Sequence, residues 1–325
     1  MNHCKTILLI SLLSANLSLF GQTDSIQFSE TPIVLKTPNG EIHGLLCLPI
    51  AIQGKKSLNK TQFKVALIIA GSGPTDLNGN NPSMVNNSLM YLAHQLAINQ
   101  IASVRYDKRG IASSTAAGKK EEDLRFDDYV NDAKLWVNLL NADQRFSKTI
   151  VIGHSEGSLI GMMAADSADK FISIAGSGIA ADALIKKQLA TQPKAVQDLC
   201  YPYIDSLKAG KFLKNVEPAL YSLFRPSVQG YMISWFKYDP AVEINKLNIP
   251  ILLLQGDKDL QVGVENVKIL NEQSKNARMY IILKMNHVMK IIEGDEKENL
   301  AAYSNRTLGI STFMTDCITT FIFFQ

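Results

Sequence analysis

The chain has 325 residues, 46% hydrophobic and 19% charged, an ordinary globular composition with room for one large α/β domain or two smaller ones. Its formal net charge of +3 gathers into no basic stripe, which argues against a nucleic-acid partner. Cys4, Cys47, Cys200 and Cys317 are too widely spaced for a disulfide framework or a metal-ligand pattern, and after loss of Cys4 at most one pair could close.

The first residues read as a secretory leader. Lys5 supplies a positive start, Ile7 to Leu13 an apolar stretch, and Gly21 a small residue suited to the position before cleavage. Ser14, Asn16 and Ser18 interrupt the apolar run, which is short for a membrane span. Leu19 fits the cleavage pattern poorly, and an uncleaved anchor is the alternative. No Cys follows the run to carry a lipid. The expectation is a signal peptide over residues 1–21, an exported chain (periplasmic or secreted) from residue 22 to 325, and no stable membrane insertion afterwards.

Ser25 to Lys36 and Glu41 to Leu48 have strand-like content around Pro38-Asn39-Gly40, a turn signal, which predicts an antiparallel hairpin at a sheet edge. Lys55 to Lys64 is a polar connection. Phe63 to Ala70 is a continuous apolar run, as in a strand covered on both faces. The Gly-, Asn- and Pro-rich stretch from Gly71 to Pro82 can turn backbone amides toward a ligand, with the Ser72 amide as the candidate donor. Asn87 to Asn99 carries Leu89, Leu92, Ala93 and Leu96 on one helical stripe. Ile101 to Tyr106 is a strand ending in Asp107-Lys108-Arg109-Gly110, and Lys119 to Asp123 reads as a solvated loop of mixed sign. Phe126 to Leu140 is a second amphipathic helix, and strands follow at Thr149 and at Phe171 to Ala175. Strands alternating with helices predict parallel βαβ units.

Ile179 to Leu247 breaks the alternation. It is helix-like, punctuated by proline and rich in aromatics, and predicts a helical cap over the carboxyl edge of the sheet. Most of its aromatics are expected to pack the cap's own small core. The alternation resumes with a strand at Pro250 to Gln255, a helix at Val264 to Gln273 and a strand at Met279 to Leu283. A closing helix spans Ile310 to Phe323, and Phe321 to Phe324 are expected to dock on the sheet.

The chemistry centres on Gly153-His154-Ser155-Glu156-Gly157. A β-branched apolar run enters this pentapeptide and a helix-compatible segment leaves it, the context in which a serine is held on a strained turn as a nucleophile. A serine hydroxyl needs a base. Of the five histidines, only His287 lies downstream of Ser155, just past a strand. His94 reads as a half-buried structural histidine, and His154 sits on a tight turn where its side chain is expected to point away from Ser155. His287 needs an acid to fix its tautomer. Asp257 and Asp259 both follow the preceding strand, and Asp259 is favoured because Asp257 stands close enough to the strand end to cap backbone.

On these residues the chain, from roughly Val65 onward, resembles the α/β-hydrolase superfamily. It is most similar to exported bacterial esterases and serine-aminopeptidase-like (S33-type) members with a helical cap. The resemblance rests on Gly71-Ser72-Gly73-Pro74, on Arg105-Tyr106-Asp107-Lys108-Arg109-Gly110, on Gly153 to Gly157, on Gly256 with Asp259, and on Asn286-His287. It implies a Ser155, Asp259, His287 triad with the amides of Ser72 and Glu156 as oxyanion donors. Two departures stand out: Ala70 replaces the usual His before Gly71, and Ala112 stands where Gly is frequent. Neither removes a backbone amide. The implied activity is hydrolysis of small or medium acyl esters without metal or organic cofactor, the partner being a small-molecule ester. A peptidase or acyl-thioester hydrolase on the same scaffold is the enzymatic alternative, and a catalytically silent binding module the alternative from another class.

Overall fold

The computed structural model describes residues 28–50 and 62–324. The leader-like segment, with His3 and Cys4, and most of the polar connection at 51–61 lie outside the described residues.

An eight-stranded sheet runs in the order β1-β2-β4-β3-β5-β6-β7-β8. β1 (Phe28–Thr37) and β2 (Gly40–Pro49) form the expected antiparallel edge hairpin. The tight turn is Pro38-Asn39, and Gly40 already pairs with Thr37 at φ +124°, a conformation closed to most side chains. β2 runs antiparallel to β4 (Ile101–Tyr106). The other strands, β3 (Phe63–Ile69), β5 (Phe146–His154), β6 (Lys170–Ile174), β7 (Ile251–Gly256) and β8 (Ala277–Ile282), are all parallel to β4.

The central strands are apolar at consecutive positions because both faces are covered. On one face Val65, Leu67, Ile69, Val151 and Leu253 pack against α2 (Phe126–Ala142), α3 (Glu156–Ala164) and α9 (Val264–Gln273). On the other, Ala66, Ile68, Ile152, Ile174 and Leu254 meet α1 (Ser88–Ile98) and α11 (Thr312–Phe324). The stripe expected on α1 is fully used: Leu89, Leu92, Ala93 and Leu96 are all buried. The C-terminal tail departs from expectation. Phe321 is buried, but Phe323 is partly exposed and Phe324 is 82% exposed, because the helix turns its last residue off the sheet.

Between β6 and β7 the cap contributes α4 (Ala181–Leu189), α5 (Lys194–Lys208), α6 (Tyr221–Phe224), α7 (Pro226–Trp235) and α8 (Pro240–Lys246). Its aromatics divide their work. Phe224 and Phe236 fill the cap's own core, where Tyr201 and Tyr203 pack against them. Trp235 stacks on Phe126 of α2 at 6.2 Å, and Tyr231 and Tyr238 reach the same ring, while Phe212 and Tyr221 are exposed. The backbone amide of Phe126 donates to Ser234 Oγ at 2.8 Å. Lys119 to Asp123 are exposed, as expected of a solvated loop, and Glu121 in addition accepts from Arg225 Nε of the cap at 2.8 Å. The sequence around 288–309 carries one further helix, α10 (Glu296–Ala302), that periodicity alone did not mark.

Candidate active site

The chain passes from β3 to β4 on one side and then crosses to β5 on the other side of β3. Strand order therefore reverses between β3 and β5, the place where open α/β sheets bind ligands at their carboxyl ends. Ile69 pairs with Gly153, so the Gly71 loop and Ser155 emerge side by side.

Ser155 sits at φ 55°, ψ −123°, a strained conformation for a residue with a side chain, immediately before α3. The flanking glycines follow from packing. A Cβ on Gly153 would lie 2.2 Å from the Gly157 carbonyl oxygen, and one on Gly157 would lie 2.3 Å from that of Ile69. Any larger residue would push strand and helix apart. The Ser155 amide donates to Ile174 O at 2.9 Å, which anchors the turn to β6.

The later strand ends bring the other candidates together. His287 Nδ1 lies 2.8 Å from Asp259 Oδ2, with both side chains almost wholly buried. The Asp259 carboxylate also accepts from the amides of Gln261 (2.8 Å) and Val262 (2.9 Å) and from Gln255 Nε2 (2.9 Å). Burial works to raise its pKa, but His287 and these amides outweigh burial and hold it below the usual carboxylate value. With Nδ1–H donated to Asp259, His287 keeps Nε2 free as a base. Asp257 caps backbone instead, accepting from the Lys284 amide. His94, on α1, binds Glu30 of the edge strand β1 at 3.0 Å and borders neither cavity. His287 and Ser155 border one small cavity of about 80 Å³.

Among the described residues neither the Ser72 nor the Glu156 amide has a hydrogen-bond acceptor. The Gly71 loop passes close over the elbow: a Cβ on Gly71 would lie 3.1 Å from Ser155 Cβ. A larger cavity of about 530 Å³ opens on Ser72, Ser155 and Glu156 beneath the cap, walled mainly by apolar residues such as Leu159, Leu184, Ile185, Val228, Met232 and Trp235.

The chain is similar to known hydrolases. Residues 86–217 match the family model described as serine aminopeptidase, S33, a span that includes Ser155 and ends before Asp259 and His287. Esterase EstD of Thermotoga maritima is 26% identical over 261 residues, 75% of this chain but 58% of the relative's own length. Among solved structures, Est1E from Butyrivibrio proteoclasticus superposes with a TM-score of 0.57 at 16% identity, covering 90% of this chain and 98% of that one. A Pyrococcus furiosus esterase, Pf2001, gives 0.53 at 14% identity, covering 91% and 92%. The chain has the α/β-hydrolase fold.

Within that fold, sequence reasoning passed over several groups that shape the site. Each charged side chain of the Arg105 to Arg109 run pins a different segment. Arg105 bonds Glu30 and Asn78, and Asp107 accepts from the amides of Leu77 and Ser113. Arg109 makes a two-pronged pair with Asp132 and donates to Ala117 O. Lys108 is fully buried and donates to Gly71 O at 2.6 Å and to Glu156 Oε2 at 3.4 Å. Burial pulls its pKa below that of an ordinary lysine, opposed by the Glu156 charge. Glu156 Oε1 in turn accepts from Tyr231 of the cap at 2.6 Å. One buried network thus joins the Gly71 loop, the start of α3 and the cap. The run's position just past a central strand end was the available signal, since buried charges there must find partners.

His154 was set aside as a base, and its own contacts could not be read from the sequence. Its side chain does leave Ser155, but it turns under His287, where Nε2–H donates to the His287 carbonyl at 2.8 Å with the rings 5.0 Å apart. Burial, then the nearby His287, pushes its pKa down to about 4, so it is neutral near pH 7. The departure at Ala112 also acquires a meaning: its φ is +44°, the left-handed region in which glycine is at ease.

Proposed function

We propose that this chain is a serine hydrolase that cleaves carboxylic esters through an acyl-enzyme on Ser155. His287 Nε2 takes the Ser155 proton as Oγ attacks the carbonyl carbon, and the amides of Ser72 and Glu156 hold the oxyanion. Asp259 keeps His287 in the productive tautomer and stabilises its charged form. His287 then returns the proton to the departing alkoxide oxygen, and water repeats the cycle on the acyl-enzyme. The observation that carries this reading is the strained Ser155 elbow at the strand-order reversal, sharing a cavity with a histidine held by a buried carboxylate. Likeness to proteins named as esterases supports the ester bond as the target.

The test is covalent labelling by a fluorophosphonate together with turnover of a p-nitrophenyl ester. Wild type labels and turns over, and Ser155→Ala does neither; equal labelling of the two would remove Ser155 as nucleophile. The match to a serine-aminopeptidase model favours a second reading, cleavage of aminoacyl amides. A panel of esters, thioesters and aminoacyl amides of graded acyl length separates the two. The leader-like start supports an exported enzyme, and fractionation of producing cells tests that.

A further inference from the structure

Ser155 lies between two cavities of opposite character. Ser72, Ser155 and Gln261 border both, whereas among the described residues His287 borders the small cavity and not the large one. In acyl transfer the two halves of an ester are not equivalent at this point. The leaving oxygen must receive its proton from His287 Nε2, so the alcohol half has to lie on the histidine side. The acyl half then points the other way, under the cap.

From this we infer that the substrate class is a medium-length apolar acyl ester of a small alcohol, with the acyl chain in the large pocket and the alcohol in the small one. The assignment rests on Ser155 and His287 acting as nucleophile and base. Size fits it. The large cavity, about 530 Å³, falls in the range of small-molecule sites, and its cap wall is apolar. The small one, about 80 Å³, has room for only a handful of non-hydrogen atoms, since one water needs roughly 10–15 Å³ of such space. The lining differs as well: Thr75, Asn81 and Met84 border the small cavity and none of them borders the large one. When the tetrahedral intermediate collapses, the carbonyl carbon to alkoxide bond breaks. The proton taken from Ser155 moves from His287 to that oxygen, and the neutral alcohol is left in the small cavity.

Isomeric esters test the orientation, because methyl octanoate and heptyl acetate share one formula and differ only in which half is long. The wild-type chain is expected to favour methyl octanoate in kcat/KM by about tenfold or more. Leu184→Trp, which narrows the large pocket, should lower the ratio of methyl octanoate to methyl butanoate turnover by a similar factor. For the small cavity, wild type should cleave methyl octanoate about tenfold faster in kcat/KM than hexyl octanoate, whose alcohol outgrows that space. Equal or faster cleavage of heptyl acetate, with Ser155 still labelled by fluorophosphonate, overturns the orientation and leaves the serine-hydrolase reading standing. Loss of labelling in wild type overturns both. Equal kcat/KM for methyl and hexyl octanoate overturns the small-cavity assignment.

Discussion

Charged side chains flank Ser155 on two sides of the same sheet edge, and they do different work. At the end of β4 and just beyond it, Arg105, Asp107, Lys108 and Arg109 are spent on backbone and side chains of other segments, each tying one down. After β7 and in the turn beyond β8, Asp259 and His287 are bonded so that one imidazole nitrogen stays free. Both sets are buried, and both stand at strand ends. The difference lies in what is left over: the first set is consumed by partners on other segments, and the second leaves an imidazole bordering the small cavity, where the proposed mechanism moves a proton. Removing the second kind should cost turnover with little stability, and removing the first kind should cost both.

Asp259→Asn tests the catalytic side at its sharpest. The asparagine oxygen can still accept from Gln261 and Val262, so the fold is expected to hold. The imidazole tautomer is lost, and kcat for a p-nitrophenyl ester should fall by about 10⁴-fold with little change in melting temperature. A parallel fall in stability would blur the comparison.

Lys108→Met is the matching test on the scaffold side. It frees the Gly71 carbonyl and leaves Glu156 with Tyr231 as its remaining side-chain partner. Breaking a buried pair this way costs about 3–5 kcal/mol, and a displaced oxyanion loop can cost about a hundredfold in kcat. Calorimetry and steady-state kinetics on the same preparation read both effects. Retained stability with lost activity would move Lys108 to the catalytic side.

His154 lies between the two sets and should show itself through pH. An unfolded histidine takes up its proton near pH 6.5, but this one, held neutral by burial, takes it up only near 4. Between those values the unfolded state binds more protons. Stability is therefore full above about pH 6.5 and falls as pH drops toward 4, by about 3 kcal/mol at the end. His154→Gln retains an N–H for the His287 carbonyl and carries no titrating group, so its melting temperature should be flatter from pH 6.5 to 4.5. An unchanged slope would assign the acid sensitivity elsewhere.

The smallest expected effect belongs to the scaffold loop itself. Ala112→Gly relieves a positive φ and should add about 1 kcal/mol of stability, with kcat unaltered. A denaturant midpoint at or below that of wild type would show that the loop tolerates the strain without cost.

How much could be read before the fold was known follows from the range over which each feature is specified. Strands, helices, the cap limits near 179–247 and the elbow are local, written in hydrophobic period and in glycines whose Cβ would strike backbone. Choosing His287 needed only that it is the one histidine after Ser155, and setting Asp257 aside needed only its closeness to the strand end. The partners of Lys108, Glu121, Glu156 and Tyr231 are set by contacts between segments that run up to a hundred residues apart in the chain. No periodicity records such contacts. The same holds for His154, whose acceptor is the backbone of the loop that follows β8. By itself the sequence determined the local elements and named candidate residues in their order along the chain. Only the tertiary structure decided which partner each buried charge takes, because partners for groups removed from water are chosen by three-dimensional packing.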